Sequence, residues 1–271
     1  MVVTGLQLIG EIHVESVLKL FQTVPSEEKA VQMVYAALKS GNIMTSVKYS
    51  GKKEDLESYA QEIVEKAFLI DDKDTSDDYD YMKNKYRGYT ASIRGIGIYT
   101  IKYQFNYSET DVQTEWVNKT VKSILEDFKL KDKSEYEKIK KIHDYIIDNI
   151  SYDITVQNNS AYEGLKNGAT ACQGYANLAY KFFTEAGINA RIVTGIADGE
   201  AHAWNIVQIE DLWYNIDCTW DDPIGGGNHN SQYDYFLKNN HDFKDHIRDE
   251  EYDTEEFNKE YRMADENWKA E

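Results

Sequence analysis

The stretch Thr170-Ala171-Cys172-Gln173-Gly174-Tyr175-Ala176 decides how this chain is read, because it sets a cysteine at the start of an apolar helical run. Thr170 followed three residues later by Gln173 fits a capping box. That predicts a helix from Ala171, carrying Ala176, Leu178, Ala179, Phe182 and Phe183 inward until Gly187 stops it. A thiol in the first turn of a helix meets the positive end of the dipole and unpaired backbone N–H groups. Both favour a thiolate, and the N–H groups can serve as oxyanion donors.

Working outward, residues 190–196, 201–209 and 212–217 are rich in β-branched and aromatic side chains and are separated by Asp198-Gly199 and Glu210-Asp211. Three antiparallel strands follow. If Glu210-Asp211 is a two-residue turn, Ile209 faces Leu212, Trp204 faces Asp217, and His202 lies diagonally from Asp217 on one face of the sheet. Such diagonal partners are about 7–8 Å apart, within reach of an imidazole and a carboxylate. Val207, Ile209, Leu212, Tyr214 and Ile216 then share the opposite, apolar face, and a slip of one residue breaks both features. Alone, a cysteine is most often an inert hydrophobe, and a histidine or strand-end aspartate a satisfied polar group. Together, Cys172, His202 and Asp217 make the parts of a thiol nucleophile, its base and an orienting carboxylate.

These motifs, in this order, resemble the transglutaminase-like superfamily of papain-fold thiol enzymes, which holds transglutaminases, peptide N-glycanases and bacterial cysteine-peptidase-like proteins. The resemblance covers residues 136–243 and includes Ile142-His143-Asp144-Tyr145-Ile146, Ile150-Ser151-Tyr152-Asp153 and Thr219-Trp220-Asp221-Asp222-Pro223. It implies an α+β fold: a papain-like core with the nucleophile helix packed on an antiparallel sheet. Cys172 is then the nucleophile, His202 the general base and acid, and Asp217 the residue that fixes the imidazole. Animal transglutaminases hold the oxyanion with a tryptophan upstream of the cysteine, but no tryptophan lies between Trp116 and Cys172 here. Tyr152 is a candidate for that role. Gln173 and Trp204 are candidates for the cleft, and Trp204 and Trp213 share the predicted face of His202.

Composition sets outer bounds. The 271 residues carry 48 acidic against 30 basic side chains, a net charge of −18, which argues against nucleic-acid binding and favours basic or neutral partners. The expected partner is a protein or peptide substrate. No stretch of 18 apolar residues predicts a membrane span, and residues 1–20 hold Glu11 and Glu15 and do not read as a signal peptide. By family resemblance an extracellular or cell-envelope location is open. The two cysteines, Cys172 and Cys218, are expected to stay free, with Cys218 on the opposite sheet face and buried. The six histidines show no metal-binding spacing, so neither metal nor cofactor is expected; His229, His241 and His246 read as surface polarity. Gly225-Gly226-Gly227 suits a flap beside the cleft, and the acidic run 248–256 a solvated surface.

After an N-terminal segment, residues 1–25, helix signals at 26–40, 56–69 and 110–128 and strand signals at 43–49, 89–93 and 97–107 describe a smaller α+β domain at 26–130. Residues 71–80 form an acidic loop in it. A capping box at Ser134 and Glu137 opens the catalytic domain at 131–271. The expected activity is amide or peptide hydrolysis through a thioester on Cys172. The alternatives are glutamine-to-lysine cross-linking by the same thioester and a catalytically silent scaffold.

Overall fold

The computed structural model describes residues 24–222 and 233–269. The expected N-terminal segment up to residue 23, the glycine flap at 225–227 and His229 lie outside them. Contacts divide the chain into two units, one built from the residues up to 71 and Arg87–Asn106, the other from Asp72–Tyr86 and Tyr107–Glu271. This departs from a boundary at residue 130. The helix at 111–128 buries Val117 and Val121 in the core of the second unit, so the polar stretch 129–133 links two parts of one body.

The smaller unit begins where Ser26 caps helix α1 (Glu27–Lys39) by accepting from the Lys29 N–H at 3.2 Å. Strand β1 (Met44–Ser50) and helix α2 (Leu56–Phe68) follow. In the second unit α3 (Tyr79–Lys85) occupies the end of the expected acidic loop, and its apolar Tyr79, Tyr81 and Met82 are buried. Asp77 accepts from the Tyr79 N–H at 2.9 Å at its start. Strands β2 (Tyr86–Ile96) and β3 (Ile98–Tyr107) return the chain to the first unit, where β3 runs between β1 and β2. Ala30, Val34, Leu38, Ile63 and Ala67 from the helices and Val47, Ile101, Tyr103 and Phe105 from the sheet form its buried set.

The larger unit is organised around one helix. Helices α4 (Asp111–Phe128) and α5 (Glu135–Asn149) both open with the reciprocal capping boxes that Thr110/Gln113 and Ser134/Glu137 encode. Each such cap stabilises by about 1 kcal/mol. Strand β4 (Ser151–Tyr152), helix α6 (Ala161–Asn167) and strand β5 (Ala169–Thr170) lead into α7 (Cys172–Glu185). Leu178, Ala179, Phe182 and Phe183 of α7 are fully buried, and emptying either phenylalanine site would cost about 3–5 kcal/mol.

Against α7 lies an antiparallel sheet ordered β8-β7-β6-β9, from β6 (Ala190–Ala197), β7 (Glu200–Ile209), β8 (Leu212–Ile216) and β9 (His246–Arg248), with the short helix α8 (Cys218–Asp221) after β8 and α9 (Glu255–Glu260) near the end. Ile209 pairs with Leu212 and Asn205 with Ile216, the expected register. Val207, Ile209, Tyr214 and Ile216 join the main core under α7, while Trp204, Ile206 and Trp213 join a second cluster with Phe243, Tyr252 and Phe257 on the other face. Asp198 and Gly199 both take positive φ, the backbone of a tight hairpin turn. The fold is thus α+β, with a helix that starts at the cysteine packed on an antiparallel sheet.

Candidate active site

Cys172 is the first residue of α7, but the cap differs from the expected one. Ala171 is the N-cap and offers no side-chain bond, while Thr170 ends β5 and turns its hydroxyl to the Ser160 carbonyl at 3.0 Å. Thr170 therefore ties the cysteine's approach strand to the start of α6. Gly174 lets this happen: a Cβ there would sit 1.9 Å from Thr170 Oγ1 and 2.8 Å from the Ser160 carbonyl.

His202 projects from β7, and its Nε2 bonds Asp217 Oδ2 at 2.7 Å. Cys172 shares the cavity wall with His202 and acts on the imidazole as a neighbouring group that favours its charged form. Asp217 follows β8 and caps α8: its Oδ1 accepts from the N–H groups of Thr219 at 2.8 Å and Trp220 at 3.3 Å. The carboxylate is fully buried. Desolvation opposes its charge, yet His202 and His246 and their hydrogen bonds outweigh that and hold it well below the usual carboxylate range. Burial likewise pulls the His202 imidazole down, and Asp217 with Cys172 overcomes it, raising the ring to about 10. The imidazole is held protonated across the neutral range.

Cys172 and His202 lie on the wall of a cavity of about 670 Å³, with Tyr152, Glu200, Trp220 and Asp222 also lining it. Its described lining includes the acids Asp198, Glu200 and Asp222 and no lysine or arginine. Tyr152 faces this space, and burial first, then the neighbouring Cys172 and Glu200, raises its phenol, which keeps the proton and remains a donor.

Two expected cleft residues are placed elsewhere. Trp204 is 1 % exposed, donates its indole N–H to Asn215 at 3.3 Å and packs in the second core; Trp213 is buried there too. Trp220, after the strand, lines the cavity instead, 5.8 Å from the His202 ring. Gln173 accepts from the Asn159 amide at 2.6 Å and is not among the described lining residues.

The reading of His246 as surface polarity is corrected. Its side chain is completely buried, and its Nε2 bonds Asp217 Oδ2 at 3.0 Å, the same oxygen that meets His202. The charged run that follows is not wholly solvated either: Arg248 is buried enough to be lowered to about 10, and donates to Asn215 at 3.0 Å. Only the residue types of 243–248 are visible in sequence, and the aromatic Phe243 three residues before His246 was the available sign of burial. His202, Asp217 and His246 offer ligand atoms within 4.8 Å of one another, a spacing that could hold a metal ion. Here direct hydrogen bonds to one carboxylate oxygen already account for that closeness.

Residues 122–218, which contain Cys172, His202 and Asp217, match the model of the transglutaminase-like superfamily. The mouse kyphoscoliosis peptidase is 28% identical over 123 residues, 37% of this chain and 19% of its own length, so the chain spans about a fifth of that relative. Among solved structures, a candidate cysteine protease from Cytophaga hutchinsonii shares 16% identity with a TM-score of 0.34, over 49% of this chain and 62% of that one. A protein described as a TGase shares 15% identity with a TM-score of 0.37, over 65% and 51%.

Proposed function

We propose that this chain is a thiol-dependent amide or peptide hydrolase working through Cys172, His202 and Asp217. The observation that carries the reading is that Cys172 and His202 share the wall of one cavity while the buried Asp217 carboxylate bonds the same imidazole at 2.7 Å. In the reacting form the one proton of the thiol–imidazole pair sits on His202, and the Cys172 sulfur attacks the carbonyl carbon of the substrate amide. The carbonyl oxygen takes up the negative charge. The Cys172 and Gln173 N–H groups that open α7, ahead of those of Gly174 and Tyr175 that donate to the Ala171 carbonyl, and the Tyr152 hydroxyl are the donors for it.

Collapse of this intermediate breaks the C–N bond, and His202 gives its proton to the departing amine. A thioester on Cys172 remains. His202, now neutral, takes a proton from an incoming water, whose oxygen attacks the thioester carbon. The acid leaves, the sulfur departs as thiolate and the imidazolium is restored. Asp217 keeps one ring nitrogen engaged throughout and stabilises the charge that returns to the ring. The acidic cavity lining favours neutral or cationic substrate segments.

A glutamine peptide incubated with the protein and an alkylamine, followed by mass spectrometry, tests the assignment. Release of the free acid or a cut chain that depends on Cys172 supports hydrolysis. Amine incorporation reassigns the enzyme as a transferase, and no Cys172-dependent change with any amide in a peptide library contradicts an enzymatic role.

A further inference from the structure

Asp217 serves two imidazoles with one oxygen. His202 reaches Oδ2 at 2.7 Å from β7 and His246 reaches the same atom at 3.0 Å from β9, while Oδ1 is occupied by two backbone N–H groups. The position of the carboxylate is therefore fixed by α8, and His246 competes with His202 for its remaining charge. A filler residue would not need this nitrogen. The rest of the His246 ring is enclosed by Phe243 at 4.0 Å, Trp220 at 4.5 Å and Trp204 at 5.0 Å between ring centres, and its Nδ1 has no hydrogen-bond partner among the described residues. The titratable groups facing it are Asp217 from the end of β8, His202 from β7 at 5.4 Å and Tyr235 at 5.5 Å between ring centres.

The backbone is shaped to deliver this ring. β9 pairs with β6 so that Ala197 faces His246 and Gly195 faces Arg248. At Gly195 a Cβ would lie 2.0 Å from the Ile247 carbonyl, so β9 can dock this closely only on glycine. His246 also lies beyond residues 122–218, the stretch that matches the superfamily model.

We propose that His246 is a positioning residue that tunes the triad: by donating Nε2–H to Asp217 Oδ2 it withdraws part of the carboxylate's charge from His202. The His202 imidazolium is thereby left able to release its proton to a departing amine. This rests on the thiol-hydrolase reading, but its test does not. Removing the donor leaves Asp217 free to serve His202 alone, which must make His202 more basic.

The experiment is an NMR titration of the His202 ring in the full chain, assigned with His202→Ala, in wild type, His246→Leu and His246→Gln. His246→Leu is expected to move the His202 midpoint up by about one pH unit, and His246→Gln, whose amide nitrogen can stand in for Nε2, to stay near wild type. A folded His246→Leu protein whose His202 midpoint is unchanged or lower overturns the proposal, leaving His246 as packing alone. Should His246→Leu fail to fold, His246→Asn replaces it, since its shorter amide cannot reach Asp217; equal midpoints for Asn and Gln overturn the idea and a higher midpoint for Asn supports it. The triad reading stands or falls separately, on whether Cys172 modification depends on His202.

Discussion

Two histidine–carboxylate pairs flank the short helix α8, and they differ in what adjoins them. At its start, His202 meets Asp217 at 2.7 Å; at its end, His143 meets Asp221 at 2.9 Å. The inner pair is sealed, with both side chains at 0 % exposure, and its carboxylate also accepts from the Tyr235 N–H at 2.8 Å. Burial works against the charge of His143, yet Asp144 and Asp221 still raise its pKa, while burial raises Asp221. The outer pair differs in having Cys172 as the next neighbour and open volume beyond it. A hydrogen-bonded His–Asp pair is thus compatible with a purely architectural task, and the adjoining nucleophile and access make the difference. The cysteines repeat the contrast: Cys172 is partly exposed, whereas burial pushes the Cys218 thiol well up and keeps it inert.

Substitutions at the two pairs should separate chemistry from architecture. The largest effect belongs to the outer site: His202→Ala or Cys172→Ala is expected to lower amide turnover by about 10³-fold or more in a protein that still folds. Comparable turnover in either variant would erase the distinction. At the inner pair, His143→Ala strands the Asp221 charge and should cost about 3–5 kcal/mol in a denaturant titration, while the rate of Cys172 alkylation in the folded fraction stays unchanged. An altered alkylation rate would join the two pairs into one functional unit.

The outer pair also sets a pH signature. Because the folded pKa of His202 is raised from 6.5 to about 10, its stabilisation is complete below about pH 6.5 and fades as pH climbs toward about 10. The depressed Asp217 adds stability that is present above its ordinary value of 3.8 and is lost as pH falls below it. Asp217→Asn should flatten both limbs in thermal scans across pH; an unchanged profile would mean the pair does not carry this linkage.

Smaller effects finish the contrast. Cys218→Ser should cost about 1–3 kcal/mol by burying a hydroxyl without a partner, and Cys218 should react with alkylating reagents only after unfolding. Least of all, EDTA should leave Cys172 reactivity as it was, since hydrogen bonds account for the His202–Asp217–His246 cluster; a chelator-dependent rate would reassign those residues to a metal.

The legible parts of this molecule were those with local signals. Alternating strands with a two-residue turn at Glu210-Asp211 fixed the register that aims His202 at Asp217, and side-chain caps marked the starts of α1 and α5. Thr170 shows the limit of local reading: a plausible cap residue was claimed by Ser160, ten residues upstream. Trp204 and Trp213 shared a sheet face with His202 as expected, but the segment 235–261 folds over that face and buries them, a long-range event with no local trace. His246 belongs to that same covering segment, and its burial against Asp217 was invisible for the same reason. Helix α3 was obscured by the acids around it, its burial being decided by Arg191 meeting Asp80 at 2.6 Å from far along the chain.

The most direct measurement is the rate at which iodoacetamide modifies Cys172, mapped by peptide mass spectrometry at neutral pH in the native protein and in His202→Ala. A cysteine activated by its imidazole neighbour reacts quickly in the first and at least several-fold more slowly in the second. Equal rates would mean that sulfur and ring share a wall without sharing a proton, and the thiol chemistry assigned to this cavity would be wrong.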